Sequence, residues 1–156
     1  MNVVAARLFP ALLLLFAMGL VIESLRMAAA DLLYSRAEVE ASFWGQKSYV
    51  PTSTSVAAAF SDIERARALE AGQPDLMLLH AHMLLWRSYW SQERELSRRE
   101  EQAAIALMIN AAELRPGHRA TWERLAREKQ RLGQDDAELA LAASRVRLLS
   151  PAALAP

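Results

Sequence analysis

Residues 8–22 read LFPALLLLFAMGLVI, an unbroken apolar run, and beyond Ser24 the apolar positions become periodic. With residues 3–6 included, and Arg7 able to extend its aliphatic stem toward an interface, the run reaches the roughly 20 residues a helix needs to cross a ~30 Å hydrocarbon core. The pattern predicts a transmembrane helix over residues 1–24. Past it, Leu25, Ala29, Leu32, Val39 and Phe43 recur at helical spacing, interrupted by Arg36, and predict an amphipathic stalk. Residues 44–55 break the period and end in residue types that cap helices, so they read as a loop.

From residue 56 to 71, Val56, Ala59, Phe60, Ile63, Ala66 and Leu69 share one face, while Asp62, Glu64, Arg65 and Glu70 fill the other. Gly72, Pro74 and Asp75 stop this helix and start the next. Residues 76–90 are apolar on nearly every side yet too short to span a bilayer, so they predict a central helix with Trp86, Tyr89 and Trp90 in the core. An amphipathic pattern restarts at 94–114 through Ala104, Leu107, Met108 and Ala111, and Arg115 and Pro116 close it. Two further helices are predicted, at 119–132 and 135–149. The expected organisation is an anchor at 1–24, a stalk and loop at 25–55, a helical region at 56–150 and a tail at 151–156.

Residues 111–116 read AAELRP; Trp122 follows Pro116 by six positions, Leu125 comes three later and Gly133 eight after that. This resembles the tetratricopeptide repeat, in which small residues let paired helices approach and a bulky one fills the gap between them. Residues 68–74 and 146–151 are looser copies. Pro74, Pro116 and Pro151 stand 42 and 35 residues apart against a unit of ~34, so the first unit holds an insertion, assigned to the charged residues 91–101. An ordinary small helical bundle is the alternative. Two and a half units are few for a repeat array, so the stalk, a partner subunit or a second copy is expected to cover an open edge.

Composition narrows this further. With 53% hydrophobic residues and only five Gly, the fold class is all-α: an N-terminal transmembrane helix and stalk, then a short antiparallel array like a tetratricopeptide repeat. Eighteen cationic and eighteen acidic residues leave no net field to draw nucleic acid. The absence of Cys excludes disulfides, thiolate metal sites and thiol nucleophiles. A short cation-bearing N-terminus facing the cytoplasm would place the rest in a bacterial periplasm, as a single-pass inner-membrane protein. A signal peptide cut near Ala30 is the rival reading.

Candidate chemistry is sparse. His80 and His82, two apart on a helix, project ~200° from one another and cannot share a metal ion. Glu100 with Glu101, and Asp135 with Asp136, read as surface or helix-start charge with nothing apolar near to raise a pKa. No phosphate loop, nucleophile elbow or metalloprotease signature is present, so no catalytic, cofactor or metal residue is assigned and an enzyme is not expected. The candidate interaction surface is Arg115, Arg119, Arg124, Arg127 and Arg131 on and beside the fifth helix, with His118, Lys129 and Trp90. It reads either as a solvated face laced with Glu123 and Glu128 or as a basic strip for anionic lipid, glycan or an acidic partner. Trp44 and Trp90, if exposed, would offer stacking surfaces for sugar rings.

The run Ala41, Ser42, Phe43, Trp44, the run Ser48, Tyr49, Val50, Pro51, Thr52, the Pro74, Asp75, Leu76 turn, and Leu114, Arg115, Pro116 followed by Trp122 and Leu125 together resemble the VpsP family of membrane-anchored proteins. The resemblance spans about residues 5–150 and implies a supporting role in bacterial exopolysaccharide biosynthesis or export, with no catalytic step. The expectation is a non-catalytic membrane scaffold for protein subunits of an envelope complex, with homo-oligomerisation open; the alternatives are a glycan- or anionic-lipid-binding module using the basic helix at 115–131, or an accessory subunit of another envelope complex.

Overall fold

The computed structural model describes residues 3–150, which form α1 (Val3–Phe43), α2 (Ser53–Leu69), α3 (Pro74–Trp90), α4 (Arg94–Leu114), α5 (Arg119–Arg131) and α6 (Ala137–Leu148). No strand occurs among the described residues, and the chain is all-α. The tail expected at 151–156 lies outside them. The start of α2 falls at Ser53, inside the expected loop, because Thr52 caps it: the Thr52 side chain accepts a hydrogen bond from the Ser55 amide at 3.1 Å. Asp136 caps α6 in the same way through the Leu139 amide at 3.0 Å, which moves that helix start to Ala137.

At 1.5 Å per residue α1 is about 62 Å long, twice the thickness of a bilayer's hydrocarbon core. Its first half projects free of the other helices, with Leu12, Phe16 and Ile22 each 60–68% exposed. An 18-residue stretch of α1 with a mean hydropathy of 1.9 suits a single membrane span, a property that a signal sequence shares. From Ala30 onward it enters the array, and here the structure departs from the apolar period. Ala30, Leu33, Ala37, Ala41 and Trp44 are buried, whereas Leu25, Leu32, Val39 and Phe43 remain exposed. Three alanines on the buried face let α2 approach closely. Arg36 reaches across to the buried carboxylate of Asp62 on α2 at 3.1 Å.

The closest pairs are α1 with α2, α3 with α4 and α5 with α6, and these hairpins stack in chain order through α2–α3, α4–α5 and α1–α3. The order is compatible with a tetratricopeptide-like array, with the second half of α1 serving as first helix of the first hairpin. Phe60, Ile63, Leu76, Met83, Met108 and Leu125 lie in one continuous core. Trp44 joins α1 to its neighbours: its ring centre lies 4.5 Å from that of Trp86 and 6.1 Å from that of Phe60, and its carbonyl accepts the Trp86 indole N–H at 3.2 Å. Trp122 closes the turn before α5 by donating to the Pro116 carbonyl at 3.0 Å.

The charged residues 91–101, to which the insertion in the first unit was assigned, fall in the α3–α4 turn and the opening turns of α4, which runs to 21 residues. Glu100 among them is no surface charge: it is 4% exposed and accepts from the Arg87 guanidinium of α3, which itself lies over the Phe60 ring. A buried carboxylate on α4 is tolerable only with such a cation opposite it.

Candidate functional site

Because the hairpins stack in register, their first helices α1, α3 and α5 line one side of the array. Three adjoining recesses of about 370, 330 and 180 Å³ run along this side and share His82. Together they make a shallow groove. Tyr34 and Glu38 enter it from α1, Leu79 and His82 from α3, and Arg124 and Glu128 from α5. The spacing is helical on every element, since positions four apart on α1 and on α5, and three apart on α3, stand one above the other.

Most polar groups along the groove are already engaged. The Tyr34 hydroxyl donates to Glu38 at 2.8 Å, and the Arg131 guanidinium binds Glu128 at 2.7 Å. Asp75 at the lower end holds Arg115 in a two-pronged contact of 2.8 and 2.6 Å, which ties the start of α3 to the end of α4. Arg124 differs. It is half-buried, and among the described residues it forms no ion pair. Burial pulls its pKa below the ordinary arginine value, against the attraction of Glu128 and together with the repulsion of Arg127. His82 beside it is likewise shifted down, by desolvation and then by the Arg124 charge, against the attraction of Glu128.

The candidate basic residues do not form one surface. Arg115 is held by Asp75, Arg119 pairs with Glu123 at 2.7 Å, and Arg131 pairs with Glu128. Lys129 is only 1% exposed; burial opposes its charge, but hydrogen bonds to Asp136 at 2.8 Å and Glu138 at 2.6 Å carry its pKa above the ordinary lysine value. Arg127 faces away from the groove, into a recess between α5 and α6 lined by Ala126, Val146 and Arg147. His118 is bonded through Nδ1 to the Thr121 hydroxyl at 2.8 Å. Of the set, Arg124 enters the groove with no ion pair among the described residues, although Glu38 and Glu128 line the same groove.

The aromatic residues are also redistributed. Trp44, considered as a stacking surface, is buried, while Tyr89 and Trp90, expected in the core, are 74% and 65% exposed at the end of α3 with ring centres 5.3 Å apart. Both rings lie in the last turn of α3, where Ser88 is buried instead. His80 and His82 face different sides as their spacing requires. His80 packs edge-on against Phe60, and its Nδ1 accepts from the Arg67 guanidinium at 2.9 Å. Among the described residues no group of three His, Cys, Asp or Glu is placed to hold a metal ion.

Sequence reasoning missed Tyr34, Glu38, Leu79 and His82. Their signal was the placement of first helices on one side of a hairpin repeat, which marks the faces they share before any contact is known. No family model, curated protein or solved structure matches the chain. The fold and site define the class: an array of three helical hairpins on a long apolar N-terminal helix, with a groove along the first helix of each hairpin.

Proposed function

We propose that this chain is a non-catalytic, single-span membrane scaffold that holds a segment of a partner protein in the groove between α1, α3 and α5. Arg124 carries this reading. A half-buried guanidinium without a carboxylate of its own is stabilised by an anion from outside, and Leu79 and Trp86 along the same groove accept apolar side chains. The occupant that fits is a peptide segment with an acidic residue between apolar ones. The first half of α1 anchors the array, with the N-terminus cytoplasmic and the hairpins in the periplasm. The resemblance to the VpsP family favours a subunit of an exopolysaccharide assembly as the partner.

A photo-crosslinking residue at Leu79, used in intact membranes, tests this reading against the same residue at the exposed Arg99 on α4. The expected result is a defined envelope protein captured from position 79, not from 99, and lost with Arg124→Glu. Identical captures at both positions, or capture indifferent to Arg124→Glu, would overturn it. The exposed Tyr89 and Trp90 rings favour a second reading, binding of a glycan by stacking. Loss of polymer co-sedimentation in a Tyr89→Ala, Trp90→Ala variant that keeps its protein capture would assign that second activity to the tip of α3.

A further inference from the structure

We propose that α1 also carries a heptad seam through which two copies of this chain pair in parallel. Leu25, Ala29, Leu32, Arg36, Val39 and Phe43 follow one another at alternating steps of four and three residues, the 3.5-residue period of a coiled coil. Leu25, Leu32 and Val39 are 65%, 62% and 59% exposed, so the fold leaves these positions of the stripe open, while Phe43 at its end packs against Tyr49 with ring centres 5.5 Å apart. At 3.6 residues per turn its centre lies about 140° around the helix from the buried Ala30, Ala37 and Ala41 face. The groove lies farther still around α1. A helix laid on the seam therefore meets neither α2 nor the groove.

Several observations select a second copy as the occupant. The stripe continues in phase into the apolar half of α1 through Ile22 and Met18, 60% and 57% exposed, so its partner is a helix that accompanies α1 both inside and outside the bilayer. Copies of one anchored chain share a direction across the membrane, and a two-fold axis between them lays the same stripe on itself. The single charge on the stripe, Arg36, is held by Asp62 of its own chain, so two copies meet as neutralised pairs. Of the charges flanking it, Arg26 is paired with Glu23, and Glu40 accepts hydrogen bonds from the Tyr49 hydroxyl and the Trp44 indole N–H. One polar core position among apolar ones, here Arg36 between layers of Leu25, Leu32 and Val39, is a pattern that sets register in two-stranded coils.

The seam outside the membrane is too short to bury the roughly 800 Å² per partner of a standard interface. Confinement of both anchors to one bilayer supplies the remaining drive by raising their effective concentration. The inference thus rests on the anchor reading but not on the groove.

The natural chain has no Cys, so single cysteines can be placed without background. Leu25→Cys, Leu32→Cys and Val39→Cys probe the seam; Asp31→Cys and Glu38→Cys, both exposed, probe the same helix away from it. Each full-length variant is oxidised in native membranes, and parallel samples are extracted with carbonate. Disulfide-linked dimer is expected at the three seam positions at several-fold higher yield than at 31 and 38, with loss of the Val39→Cys dimer on adding Leu32→Asp. Equal yields at all five positions, no dimer on the seam, or linkage there to a different protein would overturn the pairing. Release by carbonate would instead remove the anchor reading, whereas retention without the periodic pattern removes the dimer alone.

Discussion

His80 shows how burial of one polar side chain couples the array to pH. Burial first, and the charges of Arg67 and Arg87 next, lower its pKa from 6.5 to about 4, while its Nδ1 accepts from Arg67. A base whose folded pKa is depressed adds stability that is complete above its unfolded pKa and is lost as pH falls toward the folded value. The hairpins are therefore expected to weaken between pH 6.5 and 4, by about 3 kcal/mol if this group titrates fully. His80→Gln, which keeps an acceptor toward Arg67, should flatten the pH dependence of the urea midpoint between pH 6.5 and 5, a range that carboxylate titration barely touches; an unchanged slope would exclude His80 as its source. That this histidine faces a different side of α3 from His82 was legible from their two-residue spacing. Its partner Arg67 was not, because the contact joins α2 to α3 and depends on how the hairpins stack.

At the scale of elements, the helices were readable because each combines a 3.6-residue apolar period with a cap or a Gly or Pro stop. The limits of α4 coincide with the expected ones, and α3 and α5 differ by a residue or two. The buried side of α1 was misread for a physical reason. Hydrophobicity ranks Leu32 and Val39 above Ala30, Ala37 and Ala41, but close helix packing selects small side chains wherever backbones approach. Trp44 then carries much of the contact between α1, α2 and α3. Trp44→Ala is expected to destabilise the array by about 3–5 kcal/mol, measured by thermal or urea unfolding of the detergent-solubilised protein, whereas Val50→Ala, at a position 86% exposed in the loop before α2, should stay within about 0.5 kcal/mol. Comparable losses at both positions would mean that Trp44 does not anchor this contact.

For the whole molecule, the second half of α1 is part of the array, so removing it uncovers apolar surface on α2 and α3. A fragment of residues 45–156 should lose cooperative unfolding and self-associate, while a fragment of residues 28–156, which keeps Ala30, Leu33, Ala37 and Ala41, should unfold in one transition; calorimetry and sedimentation distinguish them. A monomeric, cooperatively folded 45–156 fragment would show α1 to be dispensable. The chain by itself determined the apolar N-terminal helix, the all-α class and the order of the helices, because these follow from local composition and periodicity. Which face of α1 is buried, which arginines are neutralised, and the meeting of Tyr34, His82 and Arg124 in one groove were decided only by tertiary structure. Those properties belong to pairs of residues up to ninety positions apart, and only the packing of hairpins brings such pairs within reach of each other's charge and volume.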